Sequence, residues 1–317
     1  MTLYEKTVKI REEVGKVIKG KDDVIKKVLM AILAQGHVLL DDVPGVGKTT
    51  LARAFSRALG ISVKRVQFTP DTMPSDIIGF SAYDMKTGEL KFHQGVIMTN
   101  LLLADEINRT SSKTQSALLE AREERQVTVD GVTHVLERPF TVIATQNPVG
   151  TAGTQMLPAA QLDRFLVRLT MGYPDAESQI EIMRDRHAGD PLELLEAVTD
   201  IDGLNRMIEE AAAVHVDDRI YSYVSDLMEA TRNNEFITLG VSPRGGLAVC
   251  RTAKAAAYME GRDYVIPADV SGVFSDVCAH RLVLQSKARL HEHTARQLIE
   301  DILKTVERPD TEGSPVK

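Results

Sequence analysis

Residues 37–50, His-Val-Leu-Leu-Asp-Asp-Val-Pro-Gly-Val-Gly-Lys-Thr-Thr, set a short apolar run against a glycine-rich loop that closes on Lys48 and Thr49. Few folds accept that order: a buried strand, a tight loop, then a helix. Gly45 and Gly47 let the chain bend so that successive backbone N–H groups converge on an anion, and the helix that follows adds the positive end of its dipole. Pro44, Gly45, Val46, Gly47, Lys48, Thr49 and Thr50 are therefore the candidate cradle for a nucleoside triphosphate. Lys48 suits the β- and γ-phosphate oxygens, and the Thr49 hydroxyl suits Mg²⁺. The general pattern opens with glycine, whereas Asp42 stands there in this chain.

At 317 residues the chain is long enough for two domains with a sizeable core. Its 38 Lys and Arg against 45 Asp and Glu leave a net charge of -7. No overall basic field advertises nucleic acid or an anionic membrane. Cys250 and Cys278 are the two cysteines, each in apolar helical sequence, which reads as buried thiols in a reducing compartment. The first residues lack the apolar core of a signal peptide, and no run approaches the ~18 apolar residues of a membrane span. The expectation is a cytoplasmic protein without membrane insertion.

Ile10, Val14, Val17 and Ile18 share a helical face that ends at Gly20, and Val24, Ile25, Val28, Leu29 and Ile32 repeat the pattern after Asp22. Two helices thus precede the first strand. Apolar runs recur at 38–40, 63–68, 100–104, 141–144 and 166–169, separated by helical stretches. They read as strands buried on both faces of a parallel sheet. Residues 1–172 are predicted to form this α/β core. Beyond Pro174, Ala-, Leu- and Glu-rich segments at 204–213, 219–232, 244–259 and 268–284 predict a smaller all-α domain over 173–290. A C-terminal helix and a frayed tail are expected over 291–317.

Asn100-Leu-Leu-Leu-Ala-Asp105-Glu106 delivers two carboxylates to the carboxyl end of a strand, where parallel sheets bind ligands. Asp105 suits Mg²⁺ through its water shell, and Glu106 suits polarising the water that attacks the γ-phosphate. A second strand ends in Gln146-Asn147-Pro148. Asn147 could hold that water, although Asn-Pro also forms ordinary turns. Arg164 follows Asp163 just before the last strand; it gains value only against developing phosphoryl charge, in its own subunit or a neighbour's, and is otherwise half of a surface pair. In Ser242-Pro243-Arg244, Ser242 caps a helix and Pro243 suits its first turn. An arginine opposes the dipole there, so Arg244 points to an anionic ligand or to a neighbouring carboxylate. His291 and His293 flank Glu292; alternate residues on a helix diverge, and no metal site is expected from them.

Taken in order, Gly45-Val-Gly47-Lys48-Thr49, Asp105-Glu106, Asn147, Arg164 and Arg244 resemble the motifs of AAA+ ATPases. Leu39-Leu-Asp-Asp-Val-Pro-Gly-Val-Gly-Lys-Thr, Gln67 through Gly79, Asp105-Glu-Ile-Asn-Arg109, Glu123 through Gly131 and Ala144-Thr-Gln-Asn-Pro148 extend the resemblance to the MoxR branch, over about residues 17–284. The implied fold is a P-loop core, a parallel sheet flanked by helices, with a helical lid. The implied cofactors are ATP and Mg²⁺, with Thr49 and Asp105 at the metal. Asn147 corresponds to sensor 1, Arg164 to an arginine finger acting across a subunit boundary and Arg244 to sensor 2. Val17-Ile18-Lys-Gly20 resembles the segment that packs on the adenine. The family also implies an insert around 77–95 and a hairpin before sensor 1. Val127–Val135 reads independently as that hairpin, with Asp130-Gly131 at its tip. Asp42 fits the branch's Asp-Val-Pro-Gly version of the loop; Lys21 and Arg122 depart from its usual residues.

The resemblance implies a hexameric ring that uses hydrolysis to remodel or activate partners carrying von Willebrand factor A domains, often in metal-cofactor insertion or complex maturation. A nucleic-acid motor is the competing class. The net charge and the low aromatic content oppose it. A chelatase-type motor subunit shares nearly the same core and differs in its partner and product. A scaffold that binds nucleotide without turnover fits poorly with retention of Glu106 and Asn147.

Overall fold

The computed structural model describes residues 2–43, 45–147 and 156–310. Pro44 and Pro148, both named above, lie outside that set. Two helices, α1 (Leu3–Gly15) and α2 (Asp22–Leu33), lead into strand β1 (Val38–Asp41) and helix α3 (Lys48–Leu59). Then come β2 (Val63–Gln67), α4 (Pro74–Ile78), the strands β3 (Gly79–Asp84) and β4 (Glu89–Gln94), β5 (Leu101–Asp105) and α5 (Ser112–Glu124). A second hairpin, β6 (Gln126–Val129) with β7 (Val132–Val135), precedes β8 (Thr141–Gln146), α6 (Ala159–Leu162) and β9 (Val167–Leu169).

Five strands form one parallel sheet in the order β2-β5-β8-β1-β9. The register pairs Ala104 with Ala144 and Asp41 with Gln146, so the carboxyl ends of β5, β8 and β1 fall on one edge. That edge is where ligands bind in open α/β sheets. The central strands are apolar and buried on both faces, as expected of a sheet covered by helices. The run at 63–68 departs from the prediction. β2 pairs only with β5 and alternates half-buried Val63 and Val66 with exposed Lys64 and Arg65, the pattern of an edge strand.

Both expected hairpins are present. Asp130 and Gly131 take φ of 49° and 80° at the β6–β7 tip, the left-handed pair that matches the strand twist. Phe92 of the β3–β4 hairpin stacks on His134 of β7 with ring centroids 3.7 Å apart. The two hairpins thus meet on one side of the core.

After β9 the chain is mostly helical: α7 (Ala176–Ala188), α8 (Ile201–Ala213), α9 (Asp218–Arg232), α10 (Pro243–Met259), α11 (Pro267–Cys278), α12 (Ser286–Leu290) and α13 (Ala295–Thr305). The helix expected over 268–284 stops at Cys278. His280 and Arg281 turn inward instead, and β11 (Val283–Leu284) pairs antiparallel with β10 (Ile237–Leu239). The lid therefore contains a short two-stranded sheet among its helices. It shares one hydrophobic core with α1, α2 and α3, where Ile25, Leu29, Phe55, Val249 and Phe274 are all buried.

Arg281 forms the junction between lid and core. Its buried guanidinium donates to Asp163 Oδ1 (2.8 Å) and to the carbonyls of Phe165 (2.7 Å) and Leu166 (3.2 Å). His280 sits beside it on the Phe165 carbonyl, and burial lowers its pKa far below the ordinary imidazole range. Cys278 is buried, Cys250 half-buried, and both are free thiols. His291 and His293 gather around the Phe236 ring, with centroids 5.7 and 4.7 Å from it. No helix of the described residues is long and apolar enough to cross a membrane.

Replacing Arg281 by Met strips Asp163 of its cation and leaves buried carbonyls without a donor. It should cost about 3–5 kcal/mol, the usual loss when a buried pair loses one partner, read as a lowered urea midpoint.

Candidate active site

The phosphate loop leaves β1 through Asp41 and Asp42 and enters α3 at Lys48. Gly45 and Gly47 adopt φ of 87° and 94°, and a Cβ on either would meet nothing within 4 Å. The backbone angle rather than crowding therefore demands glycine at both positions. Lys48 is buried and donates its ammonium to the Asp42 carbonyl at 2.9 Å. Burial lowers its pKa below the ordinary value, although Asp42, Asp105, Glu106 and Asp41 supply opposing negative charge.

Asp42 has a structural part that its sequence pattern did not reveal. Its buried carboxylate accepts the backbone N–H groups of Met171 and Gly172, the residues that leave the sheet just after β9. The loop is thereby stapled to the chain that forms one wall of the adjoining cavity. Beside it, Asp41 pairs with Arg168 on β9.

A cavity of about 490 Å³ adjoins the loop, lined by Val17, Ile18, Gly45, Val46, Gly47 and Thr50 on the core side. Tyr173, Gln179, Ile182 and Met183 line it from the segment running into α7. Gly20 closes the entering turn at φ 66°, where a Cβ would stand 2.3 Å from Ser178 Oγ. Lys21 donates to the Tyr173 carbonyl at 2.9 Å and so joins the same two walls. The structure thus brings Val17 and Ile18 to the cavity beside the loop, across a stretch of sequence that spacing could not bridge, while Gly20 packs against Ser178 and Asp175.

Asp105 and Glu106 end β5 beside the cradle. Asp105 is buried, accepting from Thr145 Oγ1 (3.0 Å) and from Arg65 Nε on the edge strand (2.7 Å). Glu106 takes φ 56°, an uncommon angle for a residue with a Cβ, held by its N–H to Thr145 Oγ1 at 2.9 Å. That turn presents its carboxylate to two donors, Arg109 at 2.7 Å and Asn147 Nδ2 at 2.9 Å. Burial alone would raise the Glu106 pKa, but these hydrogen bonds outweigh it and the net shift is downward. Asn147 lies at the end of β8, so the amide and the carboxylate from adjacent strands are linked directly. The oxygens Asn147 Oδ1 and Asn108 Oδ1 are buried with no partner among the described residues, which marks a site shaped for a polar ligand.

Thr49 is half-buried at the start of α3. The Thr49 hydroxyl and the Asp105 carboxylate are hard oxygen donors, the chemistry that Mg²⁺ takes up together with substrate phosphates. Among the described residues no group of three or more His, Cys, Asp or Glu side chains could hold a metal by itself.

Arg164 and Arg244 are placed elsewhere. Ser242 caps α10 as expected, its Oγ accepting from Gly245 N–H at 3.3 Å, and Arg244 is exposed in the first turn. Both arginines line a second cavity, of about 660 Å³, which includes no residue of the phosphate loop. Sequence reasoning gave no role to Arg109 or Thr145, nor to the α7 residues. Arg109 lies inside a quoted motif, whereas α7 carries no sign of its partner.

Residues 37–167 match the family described as "ATPase family associated with various cellular activities (AAA)", and residues 229–302 match its "AAA lid domain". The chain is 46% identical to the uncharacterized protein YeaC of Bacillus subtilis, over 94% of this chain and 93% of that one. It is 40% identical to Chaperone MoxR1 of Mycobacterium tuberculosis, over 96% and 82%. With Protein MoxR of Methylorubrum extorquens it shares 31% identity over 94% and 92%. A solved structure from Cytophaga hutchinsonii, assigned provisionally as an ATPase, superposes with a TM-score of 0.91 at 36% identity, covering 97% of this chain and 96% of that one.

Substituting Asp42 by Ala removes the acceptor of the buried Met171 N–H and the half-buried Gly172 N–H. The expected loss is about 2–3 kcal/mol, the range for hydrogen bonds to a charged group, measured by chemical denaturation. ATP affinity, read by titration of a fluorescent analogue, should fall in the same variant because the 171–173 wall is released.

Proposed function

The chain belongs to the MoxR family of AAA+ ATPases and hydrolyses ATP, and on that premise we propose that it works as a ring whose active sites are shared between neighbouring subunits. It is an ATPase of the chaperone type. In each cradle Lys48 and the loop amides of residues 45–49 hold the β- and γ-phosphates. Thr49 and Asp105 would hold Mg²⁺, which would neutralise charge on the phosphate oxygens. Glu106 accepts a proton from the attacking water as its oxygen bonds to the γ-phosphorus. The bond from that phosphorus to the β–γ bridging oxygen breaks, leaving ADP and phosphate. Asn147 holds Glu106 and, through its free Oδ1, the water. Val17, Ile18 and Gly20 form the base side of the pocket.

One observation carries the subunit-shared reading: Arg164 and Arg244 line a cavity separate from the cradle of their own chain. Guanidinium groups stabilise developing phosphoryl charge only within contact distance. A neighbouring copy that docks its cradle against this cavity supplies that contact. Hydrolysis then depends on assembly, as a hexameric ring requires.

The client side rests on the family resemblance: partners with von Willebrand factor A domains, remodelled or activated in complex maturation or metal-cofactor insertion, in the cytoplasm. Exposed Phe80, Tyr83, Met85 and Leu90 on the β3–β4 hairpin fit a protein-contacting surface. Residues 1–172 serve as the motor core, 173–290 as the lid and 291–317 as its C-terminal extension.

Glu106→Gln should lower steady-state phosphate release by about 10²–10⁴-fold, the range for loss of a general base, while ATP stays bound. Affinity capture with this variant is expected to retain a protein with a von Willebrand A domain; recovery of DNA would overturn the client assignment. Mixing Arg164→Ala with Lys48→Ala protein should restore activity that neither has alone. No recovery at any ratio, with assembly intact, counts against the shared site.

A further inference from the structure

The cavity holding Arg164 and Arg244 contains more positive charge than those two residues supply. Arg125, Arg251, Lys254 and Arg281 also line it, and Asp163 is the carboxylate among its described lining residues. Asp163 is already engaged by Arg281. Lys254 donates to the Ala212 carbonyl at 2.9 Å. Arg251 and Arg125 differ from these. Neither pairs with a carboxylate among the described residues, and Arg125 donates only to the amide oxygen of Gln35, at 3.0 Å.

Arg251 lies two helical turns beyond Arg244 on α10, and so on the same face of that helix. Arg251 is exposed to solvent, and the charged groups that act on it are Arg281, Arg244 and Arg125, all cations. Arg125 and Arg251, neither with a carboxylate partner among the described residues, add positive charge to the wall that carries Arg164 and Arg244.

Arg125 ends α5 at φ 53°, a left-handed position that glycine or asparagine fills at less cost. Its carbonyl accepts the Leu136 N–H at 2.9 Å, which closes the base of the β6–β7 hairpin. Arg125 thus lines the same cavity as Arg164 and Arg244 from the root of the hairpin.

We propose that Arg125 and Arg251 are two further phosphate-binding residues of the shared site, reaching with Arg164 and Arg244 the β- and γ-phosphates held in the cradle of the adjacent copy. The ring reading above supplies the source of those phosphates. Four guanidinium groups match a triphosphate, whose oxygens accept forked N–H pairs. Because Arg125 also closes the hairpin, loss of the γ-phosphate next door releases a tether at the root of β6 and β7. The nucleotide state of one subunit is thereby carried to the hairpin surface of the next.

The test uses Arg125→Gln and Arg251→Gln in the full chain. Each is expected to slow turnover about ten-fold or more, the loss of a charged hydrogen bond, with unchanged binding of a fluorescent nucleotide to its own cradle. Mixed with Lys48→Ala protein, each should regain activity, since the partner contributes intact arginines. The Arg164→Ala and Lys48→Ala mixture runs beside them. Recovery there, with none for Arg125→Gln or Arg251→Gln, overturns this proposal alone; recovery in none of the mixtures overturns the shared-site reading beneath it. Wild-type turnover by the single variants also overturns the proposal. Arg→Lys at each position keeps the charge but loses the fork, and covers the case in which Gln prevents folding. Slowed turnover by the folded Lys variants supports the assignment, and wild-type turnover by them refutes it.

Discussion

The register of β5, β8 and β1 is the constraint on which the site depends. Pairing Ala104 with Ala144 and Asp41 with Gln146 sets the ends of three strands on one line. Glu106, Asn147 and the phosphate loop then emerge side by side. Because side chains alternate faces along a strand, a slip of one residue would send Thr145 to the opposite face and break its bonds to Asp105 and to Glu106. The apolar burial of Leu102, Leu103, Val142 and Ile143 on both faces enforces the pairing, since any unpaired N–H within it would lack water. The chemistry is thus positioned by hydrophobic packing behind it.

Charges buried near that edge are each matched to a specific partner. Asp42 faces two N–H groups, Asp105 meets Thr145 and Arg65, and Glu106 meets Arg109 and Asn147. Such groups contribute little net stability, because desolvation offsets most of the attraction, but they penalise every other arrangement. Arg281 acts in the same way at the lid. By bonding Asp163 and the carbonyls of 165 and 166, it fixes the segment that carries Arg164. A continuous hydrophobic core links α1, α2, Leu166 and the lid helices, which ties the segment after Arg164 to the lid.

In the proposed ring, the positive recess is the counterpart of a neighbour's cradle. One face of the molecule collects the glycine loop, Lys48 and the carboxylates of Asp105 and Glu106; another collects the guanidinium groups of Arg125, Arg164, Arg244 and Arg251. The β6–β7 hairpin springs from the second face and stacks on the β3–β4 hairpin through His134 and Phe92. Nucleotide chemistry and the exposed apolar hairpin surface are therefore separated by few contacts.

Much of this was legible in the order of residues. Gly45, Gly47, Lys48 and Thr49 after an apolar run, the carboxylates at the end of β5, the amide at the end of β8 and the Asp130-Gly131 turn are local signals. Each depends on backbone angles and hydrophobic period within a few residues, which a sequence states directly. Other features escaped because their cause is remote. β2 reads as an apolar run, yet lies at the sheet edge because no strand follows it in the order. The helix expected over 268–284 ends early because Arg281 is drawn to Asp163. Asp42 reads as a departure from a pattern until Met171 and Gly172 are seen against it. The sequence by itself determined a glycine loop ahead of Lys48, a carboxylate pair at the end of a strand and a parallel sheet, since these follow from short-range stereochemistry. Only the tertiary structure decided that Arg164 and Arg244 stand apart from their own cradle beside Arg125 and Arg251, because that placement arises from how the lid packs on α1 and α2, through contacts between residues far apart in the chain.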